Sequence, residues 1–150
     1  MSITSSPTDL TQPPQRPQLA VSAAIVRAGA VLVMRRAHPP AIGHYSFPGG
    51  RVEWGESLDT ALRREVQEET GLLIAPGPFI GFREVVVRDG ADVSGHFVIA
   101  CFAVKWTDGE VFLNDEHTDA RWLAPADIAA LPVTDGLPDL ARSALATLGS

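Results

Sequence analysis

The sequence holds a single cysteine and no long apolar segment, and both absences narrow what the chain can be. One cysteine excludes an internal disulfide, and because Cys101 lies within the apolar run FVIACFAV we interpret it as a small core residue. No apolar run approaches the ~20 residues needed to span a bilayer. The first residues, MSITSSPTDLTQPPQRPQ, lack the apolar region of a secretory signal. We therefore expect a cytoplasmic protein with no membrane partner.

Positive charge is also scarce. The chain has 12 Lys and Arg residues against 18 Asp and Glu, which gives a formal net charge of −6. A general nucleic-acid binder normally presents a basic surface, so we expect no nucleic-acid partner. An acidic protein can still bind a small nucleotide if metal ions bridge its carboxylates to the phosphates and a few arginines lie beside them.

Length and composition fit one globular domain preceded by a tail. The chain has 150 residues, of which 45% are hydrophobic and 20% charged, as in ordinary globular proteins. Residues 1–18 contain four of the twelve prolines together with Ser, Thr and Gln, and they show no hydrophobic period. This composition predicts a flexible N-terminal tail. The domain is expected to span residues 19–150.

Strand and helix signals alternate through the domain. The runs LAVSAAIV and AVLVMRR predict a hairpin around residues 27–29, while PFIGFREVVV and GHFVIACFAVKW predict two strands joined by the turn RDGADVS. ARWL predicts a short strand and residues 127–131 a short helix. A last helix is predicted from Leu137 or Asp139 to Leu148. Strands interleaved with helices predict an α/β sandwich built on a mixed β-sheet.

The stretch GRVEWGESLDTALRREVQEETGL, residues 50–72, reads as a glycine loop that leads into a helix. Ser57 is a suitable N-cap, and residues 58–69 contain neither Gly nor Pro. Gly71 stands where a helix commonly ends in the left-handed conformation. Before the helix, Pro48, Gly49 and Gly50 predict a tight turn whose backbone groups can approach a ligand closely.

Three carboxylates fall on the face of this helix that should be buried. At ~100° per residue, Glu65, Glu68 and Glu69 lie in or beside the arc of its apolar residues. Buried unpaired charges are costly, so a divalent cation is one interpretation; Mg²⁺ and Mn²⁺ both prefer oxygen ligands. The alternative is a solvated acidic face with Arg63 and Arg64 as partners within the helix.

The same stretch resembles the Nudix box, G-x5-E-x7-R-E-U-x-E-E-x-G-U, where U is aliphatic. All of the specified positions match: Gly50, Glu56, Arg64, Glu65, Val66, Glu68, Glu69, Gly71 and Leu72. The resemblance implies a single domain with the Nudix α/β/α sandwich. It also implies an enzyme that hydrolyses a nucleoside diphosphate linked to another moiety, by attack of water on phosphorus, with Mg²⁺ or Mn²⁺ as cofactor.

The resemblance also implies roles for the residues of the box. Glu65 and Glu69 would be the principal metal ligands and Glu68 a further one. A backbone carbonyl of Gly49 or Gly50 would assist.

Two further residues of the box, Glu56 and Arg64, would support the ligands, as a pair that holds the cluster in place.

The general base stays open between two residues. Relatives often carry an acidic residue in the loop before a strand like ARWL, where Glu116 is the best match and Asp115 and Asp119 compete with it. Glu69 is the other candidate. Together with the further metal ligand Glu68, the predicted catalytic set is Glu68, Glu69 and Glu116. The loop has a second interpretation, because a stretch rich in Asn, Asp and Glu is also typical of a solvated turn.

Substrate-binding candidates lie outside the box. Arg35 and Arg36 end a predicted strand; either could bind phosphate bidentately, or both could simply face solvent. Tyr45 or Phe47 could form a wall of a base pocket, or pack in the core. Many relatives have Trp where this chain has Tyr45. Arg83 could face the cleft or an exposed strand surface.

Two other polar residues are interpreted as having no role in the site. Glu84 is expected on an exposed strand face. His96 is interpreted as structural, because nothing in the sequence gives it a carboxylate or metal partner.

Three functions remain open at this stage. The first is an ADP-ribose or nucleotide-sugar pyrophosphatase, although the extra proline of one ADP-ribose subgroup is absent and Arg88 lies in that region. The second is a MutT-type hydrolase that releases a nucleoside monophosphate and pyrophosphate from a triphosphate. The third is a non-catalytic nucleotide sensor, which would have no need of three crowded carboxylates. Many relatives are dimers, so a homodimer is possible.

Overall fold

A computed structural model describes residues 15–149. It contains eight strands and three helices, which occur along the chain as β1 (Gln18–Arg27), β2 (Ala30–Arg36), β3 (Tyr45–Ser46), β4 (Gly49–Arg51), α1 (Leu58–Thr70), β5 (Leu73–Ala75), β6 (Phe79–Asp89), β7 (Asp92–Asp108), β8 (His117–Leu123), α2 (Pro125–Ile128) and α3 (Leu137–Leu148). Within residues 15–149 no helix is long and apolar enough to cross a bilayer.

The strands form one mixed sheet. Its central order is β3-β2-β1-β7-β5, while β4 pairs with β1, β6 with β7 and β8 with β2. Strands β1 and β7 run parallel over nine paired residues, and the other pairings are antiparallel. This arrangement confirms the predicted α/β fold with a mixed sheet.

Each face of the sheet is covered by helices. Helix α1 places Ala61, Leu62 and Val66 against one face, where they join buried residues of β1, β2 and β7. Helices α2 and α3 cover the other face, and Cys101 is buried in that second cluster. Burial raises the pKa of the Cys101 thiol to about 11, as expected for a residue that serves as core packing.

Local signals define helix α1 at both ends. The Ser57 side chain accepts a hydrogen bond from the Thr60 N–H at 3.1 Å. Gly71 has a φ of 78°, and its N–H donates to the Gln67 carbonyl. The predicted cap residues are therefore confirmed, as is the predicted burial of the apolar face of the helix.

Several local predictions were wrong. The stretch Gly49–Arg51 is a short strand rather than a tight turn, and it pairs with residues 20–22 of β1. Strands β3 and β5 are also short elements that the sequence pattern missed. The polar turn between β6 and β7 is shorter than predicted, because the ladder continues to the pair Asp89 and Asp92.

Other boundaries differ only slightly. The short helix occupies residues 125–128 rather than 127–131. Strand β1 begins at Gln18, one residue before the expected start of the domain. Most of the predicted tail, residues 1–14, lies outside the part of the chain that the structure describes.

Candidate active site

An open cleft of about 700 Å³ lies beside the acidic side of α1, a size typical of small-molecule sites. It is bordered by the β3–β4 segment, by β6 and β7, by the loop before β8 and by the start of α3. Its charged lining residues are Arg36, Arg51, Glu53, Glu65, Glu68, Glu69, Arg83, Glu116 and Asp135, together with His38 and His117. The cleft therefore combines carboxylates with several arginines, and the three carboxylates that α1 contributes form its acidic wall: Glu65, Glu68 and Glu69.

Glu69 is the buried carboxylate of the cleft, with 9% of the residue exposed. One carboxylate oxygen, Oε1, accepts a hydrogen bond from the Gly49 N–H at 3.0 Å. The pKa of Glu69 is raised to about 8, first by burial and then by the nearby charges of Glu65 and Glu116. A carboxyl group in this environment needs positive charge to stay ionised at neutral pH.

Arg64 organises the other box carboxylates. Its guanidinium binds Glu56 through two hydrogen bonds of 2.7 and 2.9 Å. It also donates to Glu65 at 2.8 Å and to Glu68 at 3.4 Å. The expected pairing of Glu56 with Arg64 is thus present, and it lowers the pKa of Glu56 to about 2. Burial outweighs Arg64 at Glu65, so the pKa of that carboxyl is raised.

The two glycines of β4 are required by close contacts and not by a special backbone conformation. A Cβ on Gly49 would overlap the backbone of Val21 and Ser22 in the neighbouring strand. A Cβ on Gly50 would overlap the carboxylate of Glu65. Gly49 therefore permits the strand pairing, and Gly50 makes room for an acidic side chain of the site.

Substitution of Gly49 should affect mainly the stability of the protein, and substitution of Gly50 mainly the geometry of the site. Gly49→Ala is expected to lower the free energy of unfolding by roughly 1–3 kcal/mol, because backbone must move to admit the methyl group. Gly50→Ala should keep near-native stability and lose about 10-fold in turnover, because the end of the Glu65 side chain can move aside without a backbone shift but is then misplaced. Urea denaturation and steady-state kinetics on both variants test this. A Gly50→Ala protein with full activity would contradict it.

The acidic wall has the donor chemistry of a divalent-cation site. Carboxylate oxygens are the ligands that Mg²⁺ and Mn²⁺ prefer. The charges that act on the buried Glu69 are those of two carboxylates, Glu65 and Glu116, and of the Arg36 guanidinium. Among residues 15–149, however, no three His, Cys, Asp or Glu side chains already converge on one point. Glu65 is instead turned to Arg64, so the residues fit a cation without forming a finished coordination shell.

The structure separates the predicted substrate-binding residues into two groups. Arg36, Phe47 and Arg83 line the cleft. Arg35 is not among the lining residues, and its Nε donates to the Thr118 hydroxyl at 2.8 Å. Tyr45 is also absent from the lining: it is buried in the core, the interpretation that the sequence left open.

Of the three acidic candidates, Asp115 and Glu116 precede β8 and Asp119 lies within it, and only Glu116 lines the cleft. Asp119 is engaged elsewhere, since it accepts hydrogen bonds from the Tyr45 hydroxyl at 2.5 Å and from Arg121 at 2.7 Å. Asp115 uses its carbonyl oxygen to contact the His38 ring. The Glu116 N–H donates to Asn114 Oδ1 at 2.9 Å, which orders this part of the loop.

Three polar lining residues were missed by the sequence analysis. Ser46, His117 and Thr134 are each more than nine-tenths buried, and each has a side-chain atom without a hydrogen-bond partner in the part of the chain that the structure describes. All three belong to the cleft. A histidine directly after Glu116 was the one available signal; Ser46 and Thr134 each follow one residue of an isolated β-bridge, Tyr45 with Val133, between distant parts of the chain.

The interpretation of His96 as structural stays a prediction, and the residue makes a contact that the sequence did not reveal. Its Nε2 lies 2.8 Å from Glu84 Oε2, so it does have a carboxylate partner. The two residues sit on paired strands β6 and β7, a relation that only the strand register reveals. Neither residue is among those that line the cleft.

The chain has a mixed sheet between two helical layers and an acidic cleft that also contains arginines. The sequence model of the NUDIX domain matches residues 16–143. The chain belongs to the Nudix hydrolase family.

Relatives and solved structures agree with this assignment. A Mycobacterium tuberculosis protein provisionally named 8-oxo-dGTP diphosphatase 2 is 36% identical over 131 residues, which cover 84% of this chain and 89% of the relative. An ADP-ribose pyrophosphatase of Methanocaldococcus jannaschii is 31% identical over 116 residues, 77% of this chain and 65% of the relative. The crystal structure of a MutT Nudix hydrolase from Burkholderia pseudomallei superposes with a TM-score of 0.71 at 28% identity, covering 89% of this chain and 99% of the other.

Proposed function

We propose that this Nudix hydrolase cleaves the phosphoanhydride bond of a nucleoside diphosphate linked to another moiety, with a divalent cation as cofactor. The observation that carries the proposal is the buried Glu69, held by the Gly49 N–H in a cleft that also contains Arg36 and Arg83. This cleft offers acidic ligands for a cation and basic groups for phosphate side by side.

The residues of the chain divide the work of hydrolysis. Glu65, Glu68 and Glu69 would hold the cation, with a carbonyl of Gly49 or Gly50 assisting, and Mg²⁺ is the proposed ion with Mn²⁺ as an alternative. The cation, when bound, supplies positive charge that screens phosphate oxygens and makes a proton of water easier to remove.

Other residues position these groups or contact the substrate. Arg64 fixes Glu56 and Glu65, while Arg36 and Arg83 would neutralise the phosphates and stabilise the charge that develops in the transition state.

Removal of a proton from the attacking water falls to one of two carboxylates. Burial raises the pKa of Glu69 in the absence of a cation, and a bound cation would favour the ionised carboxylate, which can accept a proton. Glu116 lines the same cleft and contributes to that raised pKa through its charge. Both residues therefore remain candidates for the general base.

Two substrates are proposed. ADP-ribose or another nucleotide sugar is the first candidate, because the stretches YSFPGGRVEWGES and ARWLAPADI resemble those of small bacterial relatives that are often described as ADP-ribose pyrophosphatases. A nucleoside triphosphate is the second, and it is favoured by the relative named as an 8-oxo-dGTP diphosphatase, which is 36% identical. A non-catalytic sensor is disfavoured by the complete set of box carboxylates. Cytoplasmic residence and a homodimer remain predictions.

Product analysis tests the proposal. Wild-type protein is incubated with Mg²⁺ and ADP-ribose, other nucleotide sugars, dinucleoside polyphosphates or (d)NTPs, and the products are separated by chromatography. AMP with ribose 5-phosphate would support the first candidate, and pyrophosphate released from a triphosphate the second. Activity should vanish in chelator and return with Mg²⁺. Turnover that persists in chelator, or no turnover of any compound, would contradict the proposed function.

A further inference from the structure

A β-bulge redirects His117 towards the carboxylates of α1. Strand β8 pairs with β2 so that Arg35 lies opposite Asp119, whereas Arg36 lies opposite His117, and Thr118 is the extra residue between them. Side chains alternate along a regular strand, so without the bulge His117 would share the face of Asp119, which binds Tyr45 on the α3 side. Bulges commonly re-aim a side chain next to an active site.

The bulge brings His117 beside the innermost carboxylate of the cleft. His117 Nε2 lies 3.9 Å from Glu69 Oε2, while the other oxygen of Glu69 accepts the Gly49 N–H at 3.0 Å. The His117 side chain is almost fully buried, and its Nδ1 has no hydrogen-bond partner among residues 15–149. Glu69 is therefore flanked by a backbone donor on one oxygen and by an imidazole on the other.

We propose that His117 is a positioning residue for Glu69, and that its Nε2–H donates to Glu69 Oε2 when a cation is bound in the cleft. This inference rests on the proposed hydrolysis. The present separation is too long for a hydrogen bond, but catalytic hydrogen bonds are often long in the free enzyme and shorten in the complex. With both oxygens held, Glu69 would keep one orientation throughout turnover.

Two substitutions distinguish this role from simple packing. The glutamine amide reaches the position of Nε2 and keeps a donor there, whereas the asparagine amide reaches only the position of Nδ1. His117→Asn should therefore lower kcat about 10-fold and leave KM within about twofold, since groups that hold a ligating carboxylate commonly contribute 10- to 100-fold. His117→Gln should retain most of the activity.

A double-mutant comparison makes the test sharper. If His117 acts through Glu69, His117→Asn should change kcat by less than about twofold in a Glu69→Gln background, because coupled residues are not additive. His96→Asn is the matched control: it also removes a histidine beside a glutamate, but outside the cleft, and should leave kcat unchanged. The proposal would be overturned if the fold-losses in kcat of the two single variants multiplied in the double variant. It would also be overturned if His117→Asn and His117→Gln lost the same amount of kcat and the same amount of Tm.

A spectroscopic measurement separates this proposal from the proposed function. In ¹⁵N NMR spectra of the protein with Mg²⁺, Glu69→Gln should shift the His117 Nε2 resonance more than Nδ1, and should leave His96 unchanged. This readout needs no turnover. If the wild-type protein hydrolysed nothing, the proposed function would fail while the His117 contact stayed testable. An unchanged His117 Nε2 resonance would overturn the contact itself.

Discussion

Glu69→Gln is expected to lower turnover by about 10²-fold or more while the domain stays folded. The glutamine is nearly isosteric, and its side-chain oxygen can still accept the hydrogen bond that the Gly49 N–H donates. What disappears is the negative charge that would hold a cation and the basic oxygen that could take a proton from water. Transition-state stabilisation is lost, and core packing is not.

Steady-state kinetics with the substrate found by product analysis, together with a thermal melt of each protein, measure both effects. Glu110→Gln provides a matched control, because it neutralises a carboxylate that is exposed and paired with Arg27. That control should show wild-type turnover. If Glu69→Gln hydrolysed substrate like the wild type, the assignment of Glu69 to the reaction would be wrong.

Helix α1 was predictable because the residues that start it, continue it and end it lie close together in the sequence. The Ser57 cap, the uninterrupted run of helix-compatible residues and the left-handed Gly71 all lie within one stretch, and each operates as expected. The spacing of its apolar residues likewise predicted the buried stripe. A helix closes its hydrogen bonds over four residues, so short-range sequence carries most of what defines it.

The short strands were not predictable, because distant partners define them. Residues 49–51 extend only because β1 accepts them about 29 residues away in sequence, and Gly49 was needed for that close approach rather than for a turn. Tyr45 was open to two interpretations for the same reason. Its hydroxyl partner, Asp119, is 74 residues distant along the chain.

The site was predictable in its chemistry and not in its geometry. The motif identified Glu65, Glu68 and Glu69, but periodicity alone gave them one common environment. In the structure Glu69 is buried, Glu65 is held by Arg64, and the Glu68 side chain is 58% exposed. His117 joined them through a bulge in strand pairing, which no local pattern encodes.

The stability of the metal-free protein is expected to fall as pH rises, and Glu69 is the cause. Its pKa is about 8 in the folded state against an ordinary value of 4.5, so the folded state binds the proton more tightly than the unfolded state. The free energy of unfolding should therefore decrease from about pH 4.5 to pH 8 and level off above that. Glu65 has a raised pKa and adds to the same trend.

The most informative window lies between pH 6.5 and 8. The lowered pKa of buried His117 works in the opposite direction, but only below its ordinary value of 6.5. Across the window Glu69 should reduce the free energy of unfolding by on the order of 1.5 kcal/mol. Urea denaturation in chelator at a series of pH values measures this, with Glu69→Gln as the comparison.

Glu69→Gln should lack most of this slope and exceed the wild type in stability at pH 8. Added Mg²⁺ should restore the wild type at that pH, because a cation that binds the ionised carboxylate stabilises the folded state by mass action, and it should do much less for Glu69→Gln. Parallel stability curves for the two proteins would mean that Glu69 ionises without cost. Burial of the Glu69 carboxylate would then not favour cation binding, and the proposed role of Glu69 as a cation ligand would lose this support.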